Sequence, residues 1–279
     1  MIRGKKASAR ALARTAVERV EQGGRDDEVL SGARLEPRDA AFARELALGV
    51  LRHQRLLRFV LAGFCDRGLP EGPPLHVLEI GAQQLLFMDR VPDHAAVQET
   101  VALAGRARGF VNAVLRSLTR SFRDGVAGDP RSELQLPGGR FLALPRPLPD
   151  PQADPVQSAA LLYSLPDFLV ERWVERIGAE AATAVAAASA TTPAVFLRAS
   201  ARSGGAATLA GALEEEGVET EAVDPDLLRW SGGRSPFAGA SFRQGGFVVQ
   251  DPTALAAARA VGARPGERIL DLCAAPGTK

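Results

Sequence analysis

Seven prolines stand between Pro130 and Pro155, in DPRSELQLPGGRFLALPRPLPDPQADP. Proline fixes φ and lacks a backbone N–H, so no regular helix can run through such a stretch. A chain of 279 residues has room for about two domains of ordinary size. The prolines mark where it changes character. Residues 126–155 are expected to form a linker or extended strap, with Phe141, Leu142 and Leu144 pinning its middle to a domain surface.

Before that stretch the periodicity is helical throughout. SARALARTAVERV repeats Leu12, Ala16 and Val20 at helical spacing. PRDAAFARELALGVLRHQRLLRFVLAGF starts at Pro37, which a first helical turn tolerates, and carries Phe42, Leu46 and Val50 on one face, then Leu57, Val60, Leu61 and Phe64. It reads as one long helix, or two with a bend near Gly49. LHVLEIGAQQLLFMD follows the PEGPP breaker, and DHAAVQETVALAG opens on an acidic N-cap and closes at Gly105. GFVNAVLRSLTRSF adds Phe110, Val111, Val114, Leu115 and Leu118 to an apolar stripe. Residues 1–125 are therefore expected to form an all-α domain. Residues 156–244 mix helices with short strands (AVFLRAS, VETEAV, DLLRWSG) and predict a small α+β domain. Residues 245–279 read as a strand, a helix with Pro252 in its first turn, and a buried strand ERILDLC, an order that opens an α/β sheet.

Charge is unevenly spread. Residues 1–120 carry 19 Lys/Arg against 14 Asp/Glu, and residues 121–279 carry 15 against 19. A basic front half suits a polyanion such as nucleic acid, although a solvated helical surface rich in arginine has the same composition. Lys5, Lys6 and Arg10 lie in a basic N-terminal run, Arg38, Arg44 and Arg52 on a candidate helix, and Arg116 in the GFVNAVLR motif. These seven are the candidate RNA contacts. No apolar run approaches the ~20 residues of a membrane span. Cys65 and Cys273 are too few and too far apart for a disulfide framework, which fits a cytoplasmic protein. His53, His76 and His94 have no ligand-like spacing, so no metal is expected.

The chain closes on ILDLCAAPGTK. A strand running into a loop of small residues suits a nucleotide-like ligand, because small side chains let backbone N–H groups approach it. A dinucleotide fingerprint needs three glycines and the loop has only Gly277; a Walker loop needs Gly where Leu272 stands. DLCAAPGTK instead resembles the S-adenosylmethionine loop of the RNA cytosine-carbon-5 methyltransferases, DxCAAPGGKT. It matches at Asp271, Cys273, Ala274, Ala275, Pro276, Gly277 and Lys279, and departs at Thr278 where glycine is commonest. RDAAFARELALGVLRH, LEIGAQQLLFMDRVPDHAAVQETVALA and GFVNAVLRSLTR resemble the NusB-like helical domain fused to one branch of that family. YSLPDFLVERWVERIG and VFLRAS resemble its middle domain.

The resemblance implies a multidomain protein: an all-α NusB-like RNA-binding domain, an α+β middle domain, and the start of a Rossmann-like α/β methyltransferase domain. It implies Cys273, Ala274, Ala275, Pro276, Gly277, Thr278 and Lys279 as the S-adenosyl-L-methionine loop. It implies a monomer acting on a cytosine of small-subunit ribosomal RNA. In the family, the Pro-Cys and Thr-Cys motifs that supply the catalytic cysteines follow the cofactor loop. The chain is thus expected to be a fragment without catalytic residues, inactive alone. A non-catalytic NusB-like RNA-binding or antitermination module is the alternative.

Overall fold

The structure, a computed structural model, describes residues 8–32 and 34–274. It divides into two compact units that meet at Thr191 and Thr192.

The first unit begins with helices α1 (Ala9–Glu21), α2 (Asp26–Leu30), α3 (Pro37–Ala62), α4 (Pro73–Phe87), α5 (Asp93–Val101) and α6 (Arg108–Arg120). Their starts follow from local chemistry. The Ser8 hydroxyl caps α1 by accepting from the Ala11 N–H at 3.2 Å, and Pro37 and Pro73 open α3 and α4, where a missing N–H costs nothing. Helix α4 is buried continuously from His76 to Leu86, the mark of a central helix. Leu46, Leu57, Leu61, Leu78, Ile80, Leu115 and Leu118 pack as one core.

Helix α3 runs unbroken, with no division at Gly49. Gly49 serves close packing instead: a Cβ there would stand 2.5 Å from Gln83 Nε2 of α4. Gly81 of α4 does the same toward α6, where a Cβ would stand 2.6 Å from Leu115 Cδ1.

The proline-rich stretch is helix-free, as proline requires, but it holds more structure than a strap. Strands β1 (Phe122–Asp124), β2 (Glu133–Leu136) and β3 (Arg140–Ala143) form an antiparallel sheet in the order β1-β3-β2. Pro137 follows β2 and sits beside a turn at Gly138 and Gly139, both at positive φ, and Pro145 to Pro151 follow β3. The prolines therefore punctuate the ladder rather than interrupt it. Leu136, Leu142 and Leu148 join the helical core, and the Arg146 guanidinium lies 4.0 Å from the centre of the Phe59 ring.

Helices α7 (Pro155–Leu162), α8 (Asp167–Ile177) and α9 (Ala179–Ala190) also belong to the first unit, although their sequences were expected to open the middle domain. They close on a small core of Ala159, Ala160, Val170 and Ala186. Polar bonds tie them to the middle of α3. Ser164, held at φ 55°, accepts from the backbone N–H groups of Arg55 and Leu56 at 3.1 and 3.3 Å. Arg55 in turn donates to Asp167 at 2.6 Å and to the Leu165 carbonyl.

The second unit contains β4 (Phe196–Ala199), α10 (Ala206–Glu215), β5 (Val218–Asp224), β6 (Leu227–Gly233), α11 (Ala240–Arg243), β7 (Phe247–Val249) and α12 (Pro252–Ala260). The sheet order is β5-β6-β4-β7 with every neighbour antiparallel, the β-α-β-β-α-β split arrangement. Leu197, Leu228 and Phe247 cover one face together with Leu209 and Leu213 of α10. This is the expected α+β texture. Strand β7, expected to begin a new sheet, is instead the edge of this one. The Arg259 guanidinium holds α12 to Asp224 and Asp226 at 2.7 to 3.0 Å.

Residues 267–273, expected to form a buried strand, are not strand. Ile269, Leu270 and Leu272 are 59%, 82% and 86% exposed. A strand needs a neighbour to satisfy its backbone groups, and among the described residues none stands beside it. The described strands contain no parallel pair. Among the described residues, no helix is long and apolar enough to cross a membrane.

Candidate nucleic-acid interface

The expected RNA contacts fall into three groups. Lys5 and Lys6 lie outside the described residues. Arg10 is half-buried: its Nε donates to Gln84 at 2.7 Å, its guanidinium lies 5.1 Å from the Phe42 ring centre, and burial lowers its pKa despite the Glu99 charge. It is engaged inside the fold. Arg38 and Arg44 are exposed on α3, with Arg52 half-buried on the same helix. Arg116 is exposed on α6.

Helix α6 carries more than that one arginine. Val111, Val114, Leu115 and Leu118 face the core. On the helical wheel, Gly109, Ala113, Arg116 and Arg120 fall opposite them and are exposed. The small residues leave the ridge bare, and a Cβ at Gly109 would meet nothing within 4 Å. Grooves flank this ridge. One, about 560 Å³, is lined by His94 and Gln98 of α5 and by Asn112, Arg116 and Thr119. The other, about 460 Å³, is lined by Phe64, Asp66 and Arg67 beyond α3 and by Phe110, Ser117 and Arg120. Among the described residues, Arg67, Arg106, Arg108, Arg116 and Arg120 form no ion pair with a carboxylate. Arg116 and Arg120 are moreover like charges at i, i+4, an arrangement that weakens an isolated helix by ~0.2–0.5 kcal/mol. Their spacing was a readable signal that sequence reasoning passed over. Phe110 was assigned to the apolar stripe, yet it is 41% exposed.

One cluster of charges in the unit is tightly paired. Glu79, fully buried on α4, accepts from Arg58 Nε at 2.6 Å. Arg58 also bonds Glu21, which receives His76 Nε2 at 2.6 Å. Burial raises the Glu79 pKa, against the opposing hydrogen bond and charge of Arg58. Glu21, His76 and Glu79 bring ligand-type atoms within 4.8 Å of one another. Arg58 already bridges both carboxylates, so the cluster supplies its own cation.

Of the cofactor loop, Cys273 and Ala274 are described and exposed, while Ala275, Pro276, Gly277, Thr278 and Lys279 lie outside the described residues. The Cys273 N–H donates to Asp271 Oδ1 at 2.9 Å, an Asx turn. Ligand sites bury ~70–90% of a small molecule, and the exposed stretch Asp271–Ala274 encloses no such volume. Cys65 does not have the surroundings of an activated thiol. Cys65 is buried, and burial and the Asp66 carboxylate raise its pKa, away from the thiolate.

Comparison with known proteins adds to this geometry. Residues 7–120 match the NusB family. The chain is 30% identical over 290 residues to the probable ribosomal RNA small subunit methyltransferase B of Bacillus subtilis (strain 168), covering 99% of this chain and 59% of that protein. It is 32% identical over 281 residues to the ribosomal RNA small subunit methyltransferase B of Thermus thermophilus, covering 97% and 56%. The crystal structure of PH0851 superposes with a TM-score of 0.57 at 15% identity, over 94% of this chain and 56% of that one, a likeness of fold alone. The chain thus spans between half and three-fifths of the length of these relatives.

Proposed function

We propose, from a NusB domain and homology to ribosomal RNA small subunit methyltransferase B along nearly the whole chain, that this protein serves the methylation of small-subunit ribosomal RNA. The product is a cytosine methylated at carbon 5, and the methyl donor is S-adenosyl-L-methionine. The observation that carries this is the 30% identity sustained over 99% of the chain. The motif DLCAAPGTK supports the choice of donor and base. Carbon 5 of cytosine is a poor nucleophile in the resting base. A thiolate must first add at carbon 6, which makes this nucleophilic catalysis. Neither Cys65 nor Cys273 suits that role, so the 279 residues contribute recognition rather than turnover. Residues 1–125 and the α+β unit bind and present the RNA, and the motif Cys273–Lys279 contributes to binding the donor. The protein works in the cytoplasm as a monomer.

Bisulfite sequencing of 16S RNA from cells lacking the gene tests this reading. Loss of one 5-methylcytosine, restored by the intact gene, is the expected result. An unchanged methylation map would refute it in favour of a non-catalytic NusB-like module. Methyl transfer by the 279-residue chain alone would refute the division of labour.

A further inference from the structure

The geometry points to the groove between α6 and the end of α3 as a stacking site for one unpaired RNA base, with Phe110 as its platform and the α6 arginines holding the flanking phosphates. This rests on the RNA-directed reading above and assigns it a place.

Three observations converge. Phe110 lies at the N-terminal end of a core-packed helix, yet 41% of its surface is open to solvent. It lines a groove of about 460 Å³ with Phe64, Arg67, Ser117 and Arg120. An apolar floor beside guanidinium groups suits a base, which offers a π face and polar edges. The second observation is charge. Arg67 and Arg120 border the groove, Arg116 lies one turn from Arg120 on the ridge, and Arg106 and Arg108 precede Phe110. None of the five has an ion-pair partner among the described residues, and Asp66 is the one carboxylate lining the groove. Polyanionic backbone complements such a surface, whereas an acidic peptide would supply no face for Phe110. The third is clearance. Gly109 and Ala113 keep the ridge free of side-chain bulk between Phe110 and Arg116, so a sugar-phosphate chain can lie close along it.

A duplex cannot use this site, because its bases are stacked on one another. The preference is for a loop or single strand. The site reads no particular base, since every base has a π face.

Fluorescence anisotropy on the 279-residue chain tests this with a labelled single-stranded RNA of about ten nucleotides and a duplex of equal length. Phe110→Leu keeps an apolar group and removes the ring; Phe110→Trp restores one. Phe110 is a surface site, so thermal melts serve as the folding control. Phe110→Leu should weaken single-strand binding by roughly 5- to 150-fold, the range for one lost base stack. It should leave duplex binding and the salt slope unchanged, and Phe110→Trp should bind at least as well as wild type. Arg116→Ala should lower the salt slope by about 0.7, one single-strand phosphate. Equal single-strand binding by wild type and Phe110→Leu, or an equal loss for the duplex, overturns the stacking site while RNA binding stands. No salt-dependent binding of either RNA by the wild-type chain overturns the RNA-directed reading and the site together.

Discussion

Arg58→Ala removes the partner of a carboxylate that has no access to water. Glu79 is 0% exposed; one oxygen accepts from Arg58 at 2.6 Å, and the other is buried with no partner. Breaking a buried ion pair from one side costs about 3–5 kcal/mol, because a charge is left uncompensated. The Arg58 side chain is itself 34% exposed, so water screens part of the pair and the lower end, about 3 kcal/mol, applies at pH 7. The pH dependence has a definite sign. Burial raises the folded-state pKa of Glu79 above its unfolded value, and Arg58 opposes the rise. A carboxyl that binds its proton more tightly when folded loses stability as pH climbs from the unfolded pKa, ~4.3, through the folded one. Without Arg58 the folded pKa rises further. The deficit of Arg58→Ala is therefore small below about pH 4.3 and widens toward pH 7. Glu21 pulls the same way: burial works against its ionised form, but hydrogen bonds from His76 and Arg58 hold its pKa low, and the variant loses one of them. Urea unfolding followed by circular dichroism at pH 5 and pH 7 reads the difference. A Glu79→Gln change in the Arg58→Ala background should recover much of the loss at pH 7. A deficit under about 1 kcal/mol at pH 7, or one equal at both pH values, would refute the buried-charge account.

Three further outcomes follow from local geometry. Gly81→Ala drives a Cβ to 2.6 Å from Leu115 Cδ1, so overpacking of about 1–3 kcal/mol should exceed the helix-propensity gain of up to ~1 and lower Tm. Asp224, held by the hydrogen bonds of Arg259 at a pKa of about 2, stabilises the fold above its unfolded value and ceases to do so as pH falls through about 2. Carboxyl NMR should show Arg259→Ala raising it toward ~3.9, short of it because the Asp226 N–H still donates to the same carboxylate, and an unchanged titration would remove the bidentate pair from the account. Ellman's reagent should find one rapid thiol, Cys273, with Cys65 reacting only on unfolding; two fast thiols would contradict the burial of Cys65.

Periodicity made the helices legible because α1, α3 and α6 each bury one stripe, and the stripe is what a sequence displays. It misled at Phe110, where an apolar residue at helical spacing points to solvent. Spacing records which residues are apolar, not whether a neighbouring element covers them. Gly49 looked like a candidate bend, and it proves, like Gly81, to be a close-approach position, which depends on a second helix that spacing alone does not locate. The proline count excluded a helix between 126 and 155 and hid a sheet, because the prolines occupy the strand ends. The network of Glu21, Arg58 and the buried His76 and Glu79 left only a faint trace, polar residues inside the apolar run LHVLEIGAQQLL. The strand expected at 267–273 was judged on composition, whereas strand formation depends on a neighbour to pair with. The arginines of α6 were half legible: Arg116 was singled out for its motif, and Arg120 was not considered for the like charge one turn away.

The corner at Ser164 makes the unit of folding longer than the stretch that resembles the NusB family. Likeness to the NusB family ends at residue 120, whereas the compact unit runs on through α9 to Thr191. Ser164 and Asp167 fasten the later helices to the backbone and side chain of Arg55, in the middle of α3. Cutting the chain after residue 120 would strand Arg55 without its partners and uncover the core that Leu136, Leu142 and Leu148 close. Residues 1–191 therefore fold as one compact unit, larger than the stretch that resembles the NusB family.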